Sequence, residues 1–466
     1  MNLGRTIRTI VHLKPVQIWN RIWRKRLSLL RQPQPPDTTS PLGEFEFLNV
    51  KGRPNGWNDP RFEKLWLYNL HYFEKYCTSE LIERWIKENP KGWGNGWEPY
   101  PISLRVVNWI KHGFGEKYAE SLKEQMKWLY PRLEYHLLAN HLLANAKALV
   151  FAGTYFLTQR RGDAEEVKLA QAWLEKGLEI YRRELPEQVL ADGVHFERSP
   201  MYHSIILEDL LDCFELTREP IFREYAGKML AGLKMLTGPD GKIAKFNDST
   251  EGIAKTPEEL FAYAKRLAVE PVPAPVRETR TVRLSGFVRQ EAGAWTLLAK
   301  CGEIGPSYQP GHAHADTGGF ELWKDGRKVI GDTGCSTYVP GPVRCYERST
   351  AAHNTVVVDG QDSSEVWAAH RVGRRFDFGR HRRRFDLTAE GLKGVDEVFG
   401  SGEHELEVRF HLPPGVEEKD VKIACDGERR VEPCEFAAGW NRREAGRCVV
   451  YHQTVRLPAI FRWSVS

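Results

Sequence analysis

Between about residues 60 and 270 the apolar positions recur every three or four residues. The stretches "SLKEQMKWLYPRLEYHLLANHLLANAKALVFAGTYFL", "EEVKLAQAWLEKGLEIYRREL" and "HSIILEDLLDCFELTREPIFREYAGKMLAGLKML" all carry this spacing, which predicts amphipathic helices. Short turns rich in Gly, Pro and Asp separate them, and neither a coiled-coil heptad nor a strict internal repeat is visible. Medium-length helices joined in this way predict a large layered array, such as a toroid of helix pairs. The period changes at Pro271, Pro273 and Pro275, which break any helix and predict a linker over 271–280. Beyond it come short β-rich runs: "TRTVRL", "GFVRQE", "WTLLAKC", "FELWKDGRKVIGDTG", "HNTVVVDG", "RRFDLTAEGLKGVDEVFG", "ELEVRFHLP" and "CVVYHQTVRL". Asp325-Gly326 and Asp359-Gly360 punctuate them as turns. The expected organisation is α+β and multidomain. A basic helical or extended segment covers 1–60, a helical domain 61–270, the linker 271–280, and an antiparallel β-sandwich 281–466.

Composition sharpens this picture in three places. At 466 residues the chain is too long for one ordinary core, and 41% hydrophobic with 28% charged residues is a globular balance. The 15 Trp and 16 Tyr cluster in polar surroundings, as in "LWLYNLHYFEKY" and "GWGNGWEPYP". Each ring alone reads as a core anchor with a polar tip, but the clustering points to a carbohydrate groove in which rings stack on sugar faces. The net charge of +5 is unevenly placed: residues 1–35 hold eight Lys/Arg and no Asp or Glu, interleaved with Leu13, Val16, Ile18, Trp19, Ile22 and Trp23. Two readings stand. One is a basic amphipathic helix touching an anionic membrane surface or a polyanion; the other is a helix packed on the main body with its basic face in solvent. Nothing else suggests nucleic acid. The eight cysteines form no CxxC pair, and no export signal or apolar run of membrane-spanning length is seen. Reduced thiols and a cytoplasmic or membrane-peripheral location are therefore expected, or a periplasmic one if the true start lies upstream.

Candidate chemistry concentrates between Tyr308 and Asn354. In "GHAHADTGGFELW" the paired His312 and His314 precede Asp316 and a strand, and share a face if the chain is extended there. A His, a carboxylate and a second His on neighbouring strands make a zinc set, and His314, Asp332 and His353 are placed for one; satisfied structural polar groups are the alternative. In the helical part, "LANHLLANA" puts Asn140, His141 and Asn145 amid Leu and Ala, where each must be hydrogen-bonded or functional. In "DGVHFERSPMYH", Ser199-Pro200 starts a helix and Tyr202 falls in its first turn, where the helix dipole favours phenolate.

In combination these stretches resemble the heparinase II/III-like polysaccharide lyases, a group with related alginate lyases. The matching segments are "GHAHADTGGFELWKDGRKVIGDTGCSTY", "RCYERSTAAHNTVVVDG", "EPYPISLRVVNW", "LANHLLANAKAL" and "DGVHFERSPMYH". The resemblance implies an incomplete α/α toroid followed by an antiparallel β-sandwich, with the active site between them. It implies that Asn140 and His141 neutralise a substrate carboxylate, that Tyr202 is an acid/base and that His312 is its partner. Tyr346, or less favourably Tyr338, would supply a further phenol. His314, Asp332 and His353 would bind a structural metal, zinc being the ion implied. Arg105, Asn108, Trp97 and Tyr100 would line the groove, with Arg344 also on the substrate.

The implied reaction is β-elimination on an acidic, uronate-containing polysaccharide, heparan-like or alginate-like. A base takes the C5 proton, the C4–O bond breaks, and donors stabilise the enolate-like charge on the carboxyl group. Two other functions compete. A glycoside hydrolase on the same toroid would need two carboxylates across a cleft, for which Glu197, Glu251 and Asp316 are candidates. A non-catalytic polysaccharide-binding protein of exopolysaccharide assembly would need no proton donors. The lack of an export signal favours polysaccharide production over scavenging.

Overall fold

The computed structural model describes residues 10–29, 40–159, 163–273, 285–364, 366–367, 370–371 and 380–466. The expected strand "TRTVRL", Arg5, Arg8, Arg31 and Pro275 lie outside the described residues. Among the described residues the helices are α1 (Pro15–Leu29), α2 (Lys64–Tyr72), α3 (Ser79–Glu88), α4 (Pro99–Lys111), α5 (Ala119–Leu129), α6 (Ala139–Gln159), α7 (Ala164–Gln188), α8 (Pro200–Thr217), α9 (Pro220–Leu236), α10 (Pro257–Arg266) and α11 (Pro342–Arg348). The chain forms two compact units, and they do not divide at the expected linker. One holds residues 14–188 and 209–224; the other holds 1–13, 189–208 and 225–466.

The first unit is helical. Its centre is α6, buried along most of its length, from Ala139 to Gly153, because the sequence there is apolar nearly all round. Gly153 lets α7 approach: a Cβ there would sit 2.6 Å from the Leu174 backbone nitrogen. Pro99 opens α4 at a position where its missing N–H costs nothing. The tryptophans expected to line a groove form a core instead. Trp85 packs against Trp97 and Trp109 at 5.8 Å between ring centroids, and all three are buried. The helix α1 also departs from expectation. Its basic face also bonds the protein: Lys14 donates to Glu187 at 2.7 Å and the exposed Arg21 to the His136 carbonyl at 3.2 Å.

The second unit is built on two antiparallel sheets. Strands β3 (Phe287–Ala292), β4 (Trp295–Lys300), β5 (Phe320–Lys324) and β6 (Arg327–Ile330) form one, in sequence order; β8 (Val366–Trp367) and β9 (His370–Arg371) make a separate pair, and the pair β1 (Phe45–Phe47) and β2 (Val50–Gly52) belongs to the helical unit. The other sheet holds β7 (Val356–Val358), β10 (Arg380–Thr388), β11 (Gly391–Leu412), β12 (Ile423–Cys425), β13 (Glu428–Gly439) and β14 (Arg442–Val465). Asp325-Gly326 turns β5 into β6 with both residues at positive φ, 50° and 79°, the geometry of a tight hairpin. The sandwich core joins Leu297, Phe320, Leu322 and Ile330 to Val408, Phe410, Val449 and Trp463. The opposite face of the four-stranded sheet is covered too. Phe287, Leu298 and Trp323 pack there against Val194, Leu236, Ala244 and Phe246 from the helical half of the sequence. This second core explains the unit boundary: the segments around 194 and 236–246 bury their apolar residues on the sheet.

Candidate active site

The site lies within the second unit and is assembled by four segments. The first is the start of α8. Ser199 Oγ accepts a hydrogen bond from the Tyr202 backbone N–H at 3.2 Å, capping the helix, with Pro200 following in the N1 position. Tyr202 therefore stands in the first turn, where the helix dipole favours a negative oxygen. The second is the loop 245–250, which the sequence reading passed over. Asn247 sits at φ 55° and is saturated. Its amide donates to the carbonyls of Glu197, Arg198 and Ile304, and its oxygen accepts from His314 N–H and Lys300 Nζ.

Asp248 beside it is fully buried and is the hub of the site. It accepts from His312 Nδ1 at 2.9 Å, from His314 Nε2 at 2.8 Å, and from both terminal nitrogens of Arg344, Nη2 at 2.8 Å. Burial alone would raise its pKa, but the Arg344 guanidinium and the two imidazole hydrogen bonds outweigh it and hold Asp248 well below the usual carboxylate range. An ionised Asp248 requires a proton on His312 Nδ1, which leaves Nε2 as the basic nitrogen.

The third and fourth segments are the 310–316 loop and the stretch 332–353. Arg348 donates to the carbonyls of Ala313 and Pro310 and so holds the loop that carries His312. The Tyr202 and His312 rings lie 3.9 Å apart between centroids, at 30°. Tyr338 Oη lies 2.9 Å from Tyr202 Oη and 3.3 Å from His312 Nδ1. The Nδ1 proton is committed to Asp248, and the Tyr202 and Tyr338 hydroxyls share one hydrogen bond in which either oxygen can donate. Burial raises the Tyr338 phenol well above its ordinary value and keeps it protonated. The four segments thus produce a phenol hydrogen-bonded to a second phenol and stacked on an imidazole whose Nδ1 is held by Asp248.

Next to this set lies a second polar cluster. His353 Nδ1 contacts Asp332 Oδ2 at 2.8 Å, and the His314 and His353 rings are 5.3 Å apart. His314 Nδ1 and His353 Nε2 are buried and have no hydrogen-bond partner among the described residues. Burial drives His314 down to about 3, so it is the neutral, ligating form. Burial would lower His353 as well, but Asp332 raises it instead, so a divalent ion would have to displace a proton there; two imidazole nitrogens beside a buried carboxylate are the donor chemistry of a divalent site. Asp316 is drawn in as well: its carboxylate, Asp332 and His353 offer ligand atoms within 4.8 Å of one another. Both Asp316 oxygens are also engaged by Lys300 Nζ, at 2.6 and 2.7 Å.

Several expected site residues are elsewhere employed. Burial, with Cys448 and Cys434 nearby, raises the Tyr346 phenol, whereas Tyr338 is the phenol hydrogen-bonded to Tyr202. Arg344 is spent on Asp248 rather than offered to a substrate. In the helical unit, Arg105 is fully buried, stacks 3.8 Å over Trp85 and donates to Gln125, His71 and Gly96. It braces the core and lines no groove. Asn108 donates to the Tyr72 carbonyl at 2.9 Å, and Trp97 to that of Asn89 at 3.1 Å. Asn145 bonds Glu134 and Ser103. Tyr100 stacks on His141 at 4.6 Å, His141 contacts Glu134 at 3.3 Å, and the Asn140 side-chain oxygen is buried without a partner among the described residues.

A Tyr/His/Tyr set on a buried aspartate is a geometry suited to proton transfer. The "Heparinase II/III N-terminus" family model matches residues 63–264 and the "Heparinase II/III-like, C-terminal" model matches 274–381. The chain belongs to the heparinase II/III-like family. It is similar to a heparin-sulfate lyase of Bacteroides thetaiotaomicron, 24% identical over 428 residues, covering 75% of this chain and 59% of the relative. It is similar to another of Pedobacter heparinus, 25% identical over 343 residues, covering 64% and 50%. The chain thus spans about half to three fifths of the length of these curated relatives. Among solved structures, a heparinase III aligns with a TM-score of 0.65 at 18% identity, covering 94% of this chain and 78% of that one. The heparan sulfate lyase HepC of Pedobacter heparinus aligns with a TM-score of 0.57 at 18% identity, covering 97% and 83%. The fold, an incomplete α/α toroid followed by an antiparallel β-sandwich, is theirs.

Proposed function

We propose that this chain is a polysaccharide lyase that cleaves a heparan-like, uronate-containing polysaccharide by β-elimination. The observation that carries the reading is the Tyr202 phenol, hydrogen-bonded to Tyr338 and stacked on an imidazole whose tautomer Asp248 fixes. The hydrogen bond from Tyr338 and the helix N-terminus both stabilise a Tyr202 phenolate, which suits removal of the weakly acidic C5 proton. His312 Nε2 stands as the second proton-transfer group. Asn140 and His141 are assigned to the substrate carboxylate, where the enolate-like charge develops. The names of the curated relatives support a sulfated glycosaminoglycan as substrate.

A zinc ion is proposed at His314, Asp332 and His353, which fit it through the two unpartnered imidazole nitrogens and the neighbouring carboxylate. Bound there, it would supply structural fixation of the stretch that carries His312. The hydrolase reading is disfavoured because its three carboxylates are already engaged. Asp316 is paired with Lys300, Glu251 with Lys242 and Lys245, and Glu197 is buried 3.8 Å from His195.

Incubation with heparosan, heparan sulfate, alginate, hyaluronan and glucuronan tests the reading. Absorbance in the unsaturated-uronate band should rise with a heparan-like polymer, and Tyr202→Phe should lose about 10²–10⁴-fold in rate. No absorbance from any of the five, or new reducing ends without an unsaturated product, would overturn it.

A further inference from the structure

The helix α1 is docked the wrong way round for a surface helix. Such a helix ordinarily buries its apolar stripe and shows its charges to water. Here the positions 14, 17, 21 and 24, one helical face, meet the protein through polar atoms. Lys14 reaches Glu187, the fully buried Gln17 reaches the Leu137 carbonyl, and Arg21 and Arg24 reach His136. The opposite face carries Val16, Ile18, Trp19, Ile22 and Trp23, and all five are exposed: Trp19 at 67%, Ile22 at 50% and Trp23 at 45%. Five large apolar side chains on one helical face make a patch that a protein in water does not leave bare without use.

Charge decides what covers it. The first 35 residues hold eight cations and no acid, so the segment that carries the patch is basic in sequence. A second copy presenting the same face would bring like charges together. An anionic bilayer surface is complementary on both counts: tryptophans settle at the headgroup level and cations gain from acidic lipid. No described helix is long and apolar enough to cross a membrane, so contact would be by lying on the surface. We propose that α1 is an interfacial anchor that seats the protein on anionic membranes through Trp19, Ile22 and Trp23, with its inward polar bonds fixing it to the helical unit.

Vesicle sedimentation of the full chain tests this, comparing phosphatidylcholine mixed with phosphatidylglycerol against phosphatidylcholine alone. The wild type should pellet with the mixed vesicles, weakly or not at all with the neutral ones, and less as salt is raised. W19E/W23E should lose about tenfold or more in partitioning, with an unchanged melting temperature and unchanged chemistry. W19Q alone, a smaller change, should lose part of it should the double variant prove unstable. Absence of binding to the mixed vesicles would overturn the proposal, as would undiminished binding by the folded variants. A concentration-dependent dimer of the wild type that W19E/W23E abolishes would also overturn it, by giving the face to a second copy.

Discussion

Asp248 shows how much a single buried carboxylate can organise. It orients two histidines with different tasks and holds an arginine that would otherwise be available to a ligand. Asp248→Asn removes the charge and leaves Arg344 buried without a counterion, which should cost about 3–5 kcal/mol. The sign with pH follows from the depressed value: Asp248 contributes stability above the ordinary carboxylate pKa of about 4 and loses it as pH falls through its lower folded value. Denaturant titrations should show the largest gap between wild type and variant near neutrality, closing below about pH 4. A gap independent of pH would refute the assignment. The sequence made the paired histidines and Tyr202 legible, because those residue types are rare at such spacing. It did not disclose Asp248, since "FNDST" is written like any polar turn and only burial distinguishes it. The sequence favours Tyr346 over Tyr338 because nothing in it shows that the stretch before α11, which carries Tyr338, places its phenol on Tyr202.

The elements were better written than their surroundings. The run "WTLLAKC" became β4, buried on every residue, as a continuous apolar run in a doubly covered sheet should be. Trp97 and Arg105 misled because polar neighbours in sequence say nothing about which side of a helix faces the core. At α6–α7 the close approach rests on Gly153. Gly153→Ala introduces a Cβ against backbone that cannot yield, so a loss of about 1–3 kcal/mol is expected. Thermal melts would measure it; an unchanged melting temperature would mean that α6 and α7 separate more easily than the packing indicates.

For the whole molecule, the metal proposal separates two kinds of failure. His314→Ala should lose bound zinc by elemental analysis and lower the melting temperature. His312→Ala should keep the metal and lose turnover, since its contacts are Asp248 and the two tyrosines. Loss of metal from both variants would show that the clusters are one. The α-then-β order and the fold class were plain from the change in period, but the compact units were not. Sequence punctuation marks where helices end, whereas unit membership depends on which core a segment covers.

The passage of the chain between units has a bearing on inheritance. It enters the helical unit inside α8, at Asp209, and leaves it inside α9, at Tyr225, so these junctions have no loop at which to cut. A gene fusion breaking at the proline-rich stretch after residue 270 would export the sheets without Val194, Leu236, Ala244 and Phe246, stripping one face of β4 and β5 and leaving Tyr202 behind. The two halves of this sequence are thus bound to travel together, and recombination has no clean way to trade one of them alone.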